Sequence, residues 1–363
     1  MTDYRSGPFR WAILGTGSVS RKFALDLRQL GGASEIACVA SRDPENARRF
    51  ADTFGGVPVA DYEAVAVADV DALYIATPPA LHEPHALMGI RAGKAVLVEK
   101  PFASDAGAAR RIAAEARAQG VFCMEALWTR FQPLAGEIRS LVASGKLGEI
   151  RGFDARFMGA NRPDSGVSLF DPEQGGALIH RGIYPLSMAH FLLGPVAEMQ
   201  GMARLGESGV DEDSVLILRH ESGALSTLRA SLRAAGPEGA TLWGTAGTLH
   251  IQGPIWRPTG ALLQPVTPSG GSGGAKRLEA FRESHAGQRI SRQLAQIKGL
   301  VRRGGTPVGG PVAGNGYHYE AQAVMQAVAS GLTEEPRMTL DDSIALVELM
   351  DRARALWAPE ARS

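Results

Sequence analysis

Apolar residues in the first 130 positions gather in short runs at 9–14, 35–40, 57–59, 71–77 and 121–127. A further run from Ala95 to Val98 closes on Glu99-Lys100-Pro101. Between these runs, residues 18–30, 43–54, 82–92 and 104–119 read as helices. Such alternation predicts a parallel sheet with right-handed crossovers. From residue 149 the rhythm changes. Strand-like segments at 151–158, 196–205, 214–221, 224–232 and 241–251 follow with little helix between them, joined by turns such as Glu221-Ser222-Gly223. That pattern predicts a mainly antiparallel sheet with one face open to be covered by helices or by another subunit. Helices are expected again at 317–330 and 340–357.

The division predicted is an α/β unit over residues 1–130 and an α+β unit over 131–363. An insertion at 268–305 interrupts the second unit: a Gly/Ser-rich linker at 268–274, then a Lys/Arg-rich helical stretch at 276–303. The basic stretch reads either as a solvated helix face or as an arm reaching toward an anionic ligand or a neighbouring subunit.

The strand at 9–14 runs into Gly15-Thr16-Gly17-Ser18-Val19-Ser20 and then a helix. This is the order of a dinucleotide fingerprint. Gly15 permits the tight turn, Gly17 lets a pyrophosphate approach the backbone, and Ser20 is small where helix meets strand. The next strand ends at Ser41-Arg42, near the ribose-reading position. Ser41 is neutral and Arg42 suits a 2′-phosphate or the adenine face, which favours NADP on charge without excluding NAD. Asp43 is either the ribose carboxylate or a helix N-cap.

Composition adds few constraints. Lys plus Arg and Asp plus Glu each number 38, so no charge excess points to nucleic acid or a membrane surface. The two cysteines, Cys38 and Cys123, fall in apolar runs and read as buried thiols, with no metal cluster implied. No run approaches membrane-spanning length and the first ten residues lack an apolar signal core, so a cytoplasmic protein is expected.

Lys100 stands at a strand tip because Pro101 cannot continue a ladder. Strand tips are where open α/β sheets hold their ligands. With these features the chain resembles the Gfo/Idh/MocA oxidoreductases, near the branch of dihydrodiol dehydrogenases and anhydrofructose or xylose reductases. The likeness includes Ala76-Thr77-Pro78 with His82, the run from Glu125 through Trp128 to Arg130 and Phe131, Gly175-Gly176-Ala177-Leu178, Gly182-Ile183-Tyr184-Pro185 and Gly244-Thr245-Ala246-Gly247.

The resemblance implies an N-terminal Rossmann domain, a C-terminal α+β domain with an open-faced sheet, and a cleft between them for a carbohydrate. It implies cofactor contacts from Gly15, Thr16, Gly17, Ser18, Val19, Ser41, Arg42, Ala76, Thr77, Pro78, His82, Glu99, Lys100, Trp128 and Arg130. It also implies a homo-oligomer assembled through the C-terminal sheet. Lys100 matches the lysine beside the reacting oxygen, and Tyr184 matches the acid/base position. Where the branch usually carries an aspartate and an apolar residue, this chain has His180-Arg181.

Hydride transfer at a carbinol or carbonyl needs a proton carrier and positive charge near the forming alkoxide. Lys100 supplies the charge; Tyr184 or His180 carries the proton. The plainer readings are a core tyrosine for Tyr184 and a packing histidine for His180. Lys100, Arg162, His180, Arg181 and Tyr184 are the expected substrate contacts. The two arginines would suit an anionic sugar, unless they pair with nearby carboxylates. Three functions are compatible: a sugar dehydrogenase or reductase, an NAD-dependent redox glycosidase for an anionic glycoside such as a sulfoquinovoside, and a cofactor-binding sensor without turnover.

Overall fold

The computed structural model describes residues 7–163, 168–266 and 305–357. The linker at 268–274 and the basic stretch at 276–303 lie outside the described residues. The first sheet holds six parallel strands: β1 (Phe9–Leu14), β2 (Ser34–Ala40), β3 (Val57–Pro58), β4 (Ala72–Ile75), β5 (Ala95–Glu99) and β6 (Cys123–Ala126). Their spatial order is β3-β2-β1-β4-β5-β6, so the chain reverses direction across the sheet between β1 and β4. That reversal opens a crevice at the carboxyl ends of the strands. Helices α1 (Ser18–Leu27), α2 (Pro44–Phe54), α3 (Glu63–Ala66), α4 (His82–Arg91) and α5 (Ala106–Gln119) make the connections. Asp43 and Asp105 start α2 and α5 by accepting the N–H groups of Glu45 and Ala108, both at 2.9 Å.

The second sheet is mixed and mostly antiparallel. It contains β7 (Ile150–Met158), β8 (Val196–Leu205), β9 (Asp211–His220), β10 (Leu225–Ser231), β11 (Gly239–Gly244), β12 (Gly247–Gln252), β13 (Ala261–Pro265) and β14 (Thr306–Val308). The order is β14-β13-β12-β11-β7-β10-β9-β8, with β7 and β10 parallel. The single strand expected over 241–251 is instead the hairpin of β11 and β12. The N–H groups of Thr245 and Ala246 are drawn off to the carbonyls of Glu149 and Leu147 (both 2.9 Å), which breaks the ladder at that point.

Helices α6 (Pro133–Ala143) and α7 (Ile183–Leu193) were not legible as separate elements. Seven consecutive residues of α7, Ile183 to Ala189, are buried, so no polar face marks a helical period. The last two helices, α8 (Tyr317–Ala329) and α9 (Leu340–Trp357), return to pack on α1 and α5 respectively. One continuous apolar core joins the two sheets, from Trp11 and Phe23 to Leu218 and Leu242. Cys38 and Cys123 are buried free thiols within it. Among the described residues, no helix is long and apolar enough to cross a membrane, and no group of His, Cys, Asp and Glu is placed to hold a metal.

Candidate active site

A cleft of about 690 Å³ opens at the carboxyl ends of β1, β2 and β4. Gly15 leaves β1 with φ +94°, and its N–H donates to Ala40 O at 2.9 Å. A Cβ there would stand 2.6 Å from Ala76 O, so the turn itself demands glycine. Gly17 is different. It is the N-cap of α1 with extended backbone (φ −68°, ψ −178°), and a Cβ on it would meet nothing within 4 Å. Its missing side chain leaves room for a ligand, and no side chain caps the first N–H groups of α1. A helix start of this kind favours an anion.

Gly15, Thr16, Gly17, Ser18, Val19, Ser41, Arg42, Ala76, Thr77, Pro78 and His180 all line the cleft. Thr16 Oγ1 donates to Ser41 Oγ at 3.3 Å, tying the glycine turn to the end of β2. Asp43 also borders the cleft, but its Oδ1 is spent on the N–H of Glu45. The donor set therefore fits a dinucleotide, with Arg42 as the charged group near the ribose position. Sequence reasoning missed Asn46, Tyr62, Ser168 and Gln174 in this lining. The last two arrive from the second unit, more than a hundred residues away, and nothing local marks them.

Lys100 lies at the tip of β5, with its Nζ 5.4 Å from the centre of the Tyr184 ring. Nζ donates to His180 O at 3.4 Å. That carbonyl belongs to a π turn, Leu178–Gly182, which leads directly into α7. Positions 180 and 184 thus reach the same region, although the turn between them is wider than an α-helix. Burial lowers the Lys100 ammonium below its usual range, opposed by the charges of Glu99 and Glu125. Burial also raises the Tyr184 phenol well above its ordinary value, so it keeps its proton at neutral pH. Its hydroxyl accepts from Trp128 Nε1 at 3.5 Å. The His180 ring is pushed down to about 4 by burial and by the Lys100 charge, and its Nε2 meets Gln174 O at 3.0 Å. A neutral ring must donate there, which leaves Nδ1 as an acceptor and makes His180 a poor proton carrier near pH 7.

Several expected contacts serve the scaffold instead. His82 is buried between Pro101 O and Thr77 O, each 2.8 Å from a ring nitrogen. It braces the cleft wall from behind. Glu99 is buried beneath the site, accepting from Tyr74 OH (2.5 Å) and from the backbone of Lys100 (3.1 Å). Arg130 is 1% exposed, its guanidinium held by Ser187, the Arg337 carbonyl and Asp342. It does not line the dinucleotide cleft. Trp128 stacks on Tyr317 (4.5 Å between ring centres) and faces Tyr184, outside the dinucleotide lining.

Arg181 corrects the anionic-substrate expectation. Its guanidinium donates to the carbonyls of Gly159 and Ser231 and to Asn161 Oδ1, and lies over the Phe157 ring. Those donors hold the loop after β7 and are not offered to a ligand. Arg162 stands exposed on that same loop.

The sequence also gave no warning of an aromatic wall beside Tyr184. Phe157 from β7 lies 5.8 Å from the Tyr184 ring, and Trp256 lies 5.6 Å from Trp128 and 6.3 Å from Phe157. Phe157 and Trp256 are only half-buried. Aromatic faces of this kind suit the apolar C–H face of a sugar ring or another flat ligand.

Residues 9–127 match the oxidoreductase family with an NAD-binding Rossmann fold, and residues 136–250 match the Gfo/Idh/MocA C-terminal domain. The trans-1,2-dihydrobenzene-1,2-diol dehydrogenase of Bos taurus is 30% identical over 357 residues, covering 95% of this chain and 96% of the relative. A 3-ketoreductase from Actinomadura kijaniata, solved with NADP and TDP-benzene, superposes with a TM-score of 0.77 at 26% identity, covering 97% of this chain and 100% of its own. Levoglucosan dehydrogenase, solved with NADH and levoglucosan, shares the fold with a TM-score of 0.80 at 18% identity, covering 96% of this chain and 97% of its own.

Proposed function

This chain belongs to the Gfo/Idh/MocA oxidoreductase family, with an NAD(P)-binding Rossmann domain, and on that premise we propose that it interconverts a carbohydrate carbonyl and hydroxyl using Lys100 and Tyr184. The observation that carries this reading is the placement of the Lys100 ammonium 5.4 Å from the Tyr184 ring, beside the glycine-lined cleft and joined to it through His180.

Gly15, Thr16, Gly17, Ser18, Ser41 and Arg42 would hold a nicotinamide dinucleotide, whose contribution would be hydride exchange with the carbonyl or carbinol carbon. In the reducing direction the carbonyl oxygen gains negative charge, which the Lys100 ammonium stabilises. Tyr184, kept protonated by burial, gives its proton to that oxygen and completes the hydroxyl. The neutral His180 ring accepts a hydrogen bond at Nδ1 and orients a ligand hydroxyl. Phe157 and Trp256 hold the apolar face of the sugar. Arg42 favours NADP over NAD, because its guanidinium suits a 2′-phosphate while Asp43 Oδ1 is engaged in capping α2. A homo-oligomer through the second sheet is supported by exposed Met202, Ile217 and Leu225 on its strands.

The test is a panel of neutral keto-sugars, aldoses and aryl glycosides with their 6-carboxylate and 6-sulfonate counterparts. Cofactor absorbance and aglycone release are followed together. The expected result is oxidation of NADPH matched by substrate reduction. Aglycone release without net cofactor change would replace the reading with a redox glycosidase. Tight cofactor binding with no turnover on any member would replace it with a sensor.

A further inference from the structure

Pro185 is the third residue of α7, just past the π turn Leu178–Gly182 that carries His180. A proline is tolerated in the first turn of a helix because the N–H it lacks would have no partner there. In this chain the helix does not start afresh. The π turn runs straight into it, and the Ile183 N–H donates five residues back to Leu178 O. In that register the N–H owed to the His180 carbonyl is that of residue 185, which has none. A carbonyl without its helical donor takes one from elsewhere.

The donor it meets is Lys100. Nζ lies 3.4 Å from His180 O and 5.4 Å from the centre of the Tyr184 ring. Both anchors belong to the same stretch of chain, four residues apart, and β5 brings the ammonium to them. Among the described residues no carboxylate lies within ion-pair distance of Nζ, so the carbonyl is the polar group that orients it. The turn itself is pinned from three directions. Asp211 Oδ2 accepts the Leu178 N–H at 2.8 Å, Gln174 O holds the His180 ring at 3.0 Å, and Gly159 O takes the Arg181 guanidinium at 2.8 Å. The carbonyl is therefore a fixed acceptor before Lys100 reaches it.

We infer that Pro185 is a positioning residue for Lys100: by withholding its N–H it leaves the His180 carbonyl to hold the ammonium beside Tyr184. The inference deepens the proposed reaction and rests on Lys100 being its working cation. Its test uses no substrate, so its failure would leave that reading standing.

His180-Arg181 is the one His-Arg pair in the sequence. Labelling histidine carbonyls with carbon-13 and arginine with nitrogen-15 in the full chain therefore gives a single carbonyl–amide correlation, which reports the His180 carbonyl. Lys100→Met removes the donor, and the carbonyl resonance should move upfield as the hydrogen bond is lost. A resonance that stays in place or moves downfield would overturn the inference. Pro185→Ala restores a competing N–H. Trace acetic anhydride labelling at pH 8, read peptide by peptide against exposed Lys146, should then show Lys100 reacting about threefold faster or more, the effect of losing one net hydrogen bond. Unchanged Lys100 labelling in the folded variant would overturn the role of Pro185. The Lys100→Met measurement stands even if Pro185→Ala does not fold.

Discussion

The carboxylate of Asp26 on α1 and the backbone N–H of Tyr317 at the start of α8 meet at 2.8 Å. The same carboxylate takes the N–H groups of Gly316 (2.6 Å) and Asn315 (2.9 Å) and the Asn315 side-chain amide (3.0 Å). One buried side chain on the helix that follows the glycine turn therefore caps a helix from the far end of the chain. Tyr317 in turn stacks on Trp128, which reaches the Tyr184 hydroxyl. The dinucleotide cleft and the aromatic wall are thus braced by one contiguous set of groups.

Removing that carboxylate should be costly. Asp26→Ala leaves buried N–H groups without partners, and hydrogen bonds to a charged group contribute about 1.5–3 kcal/mol each. A loss of at least about 3 kcal/mol is expected in denaturant unfolding. A change within about 0.5 kcal/mol would mean that α8 is held by its apolar face alone.

Gly15 and Gly17 should fail in different ways. Gly15→Ala places a Cβ against Ala76 O at positive φ, so both stability and cofactor binding should drop. At Gly17 a Cβ meets no protein atom within 4 Å, so Gly17→Val should lower thermal stability only by the modest cost of a poorer N-cap while calorimetry shows no NADPH binding. Retained affinity in Gly17→Val would place the pyrophosphate elsewhere.

Arg42→Ala tests the ribose position. Loss of one charge-assisted contact to a 2′-phosphate should weaken NADPH binding about tenfold or more and leave NADH nearly unaffected. Equal weakening of both would assign Arg42 to the adenine face instead.

Lys100→Met and Tyr184→Phe should each lower turnover by at least about a hundredfold on any substrate found, with NADPH affinity retained. Arg181→Met should leave the ratio of activities on anionic and neutral sugars unchanged, because its donors already serve Gly159, Asn161 and Ser231. A drop in that ratio alone would restore Arg181 as a substrate contact.

His180 predicts a pH dependence of stability. Its folded pKa of about 4 lies below the ordinary 6.5, so between these values the unfolded chain binds more protons than the folded one. The stability linked to neutral His180 is fully present above pH 6.5 and is lost as pH falls toward 4. Its size is up to about 3 kcal/mol. His180→Gln should flatten the acid limb of unfolding free energy against pH by about that amount. An unchanged limb would mean that the ring is solvated.

By itself the sequence determined the parts whose signals are local. The glycine turn, the strand ending at Lys100-Pro101 and the α/β rhythm are fixed by φ, by apolar runs and by proline, all within a few residues. Ser41-Arg42 could be placed because a strand end has a defined neighbour. What only the tertiary structure decided was the direction in which long side chains spend their donors. Arg130 and Arg181 read as ligand contacts in the chain, yet each gives hydrogen bonds to carbonyls and side chains drawn from distant segments. Trp256 and Phe157, about a hundred residues apart, form one wall only because the β11–β12 hairpin pairs alongside β7 in the second sheet. Glu125 reads as one polar residue in an apolar strand. Its bond to the Phe102 N–H, just past Lys100-Pro101, follows from the pairing of β5 with β6, a long-range contact that no local pattern encodes.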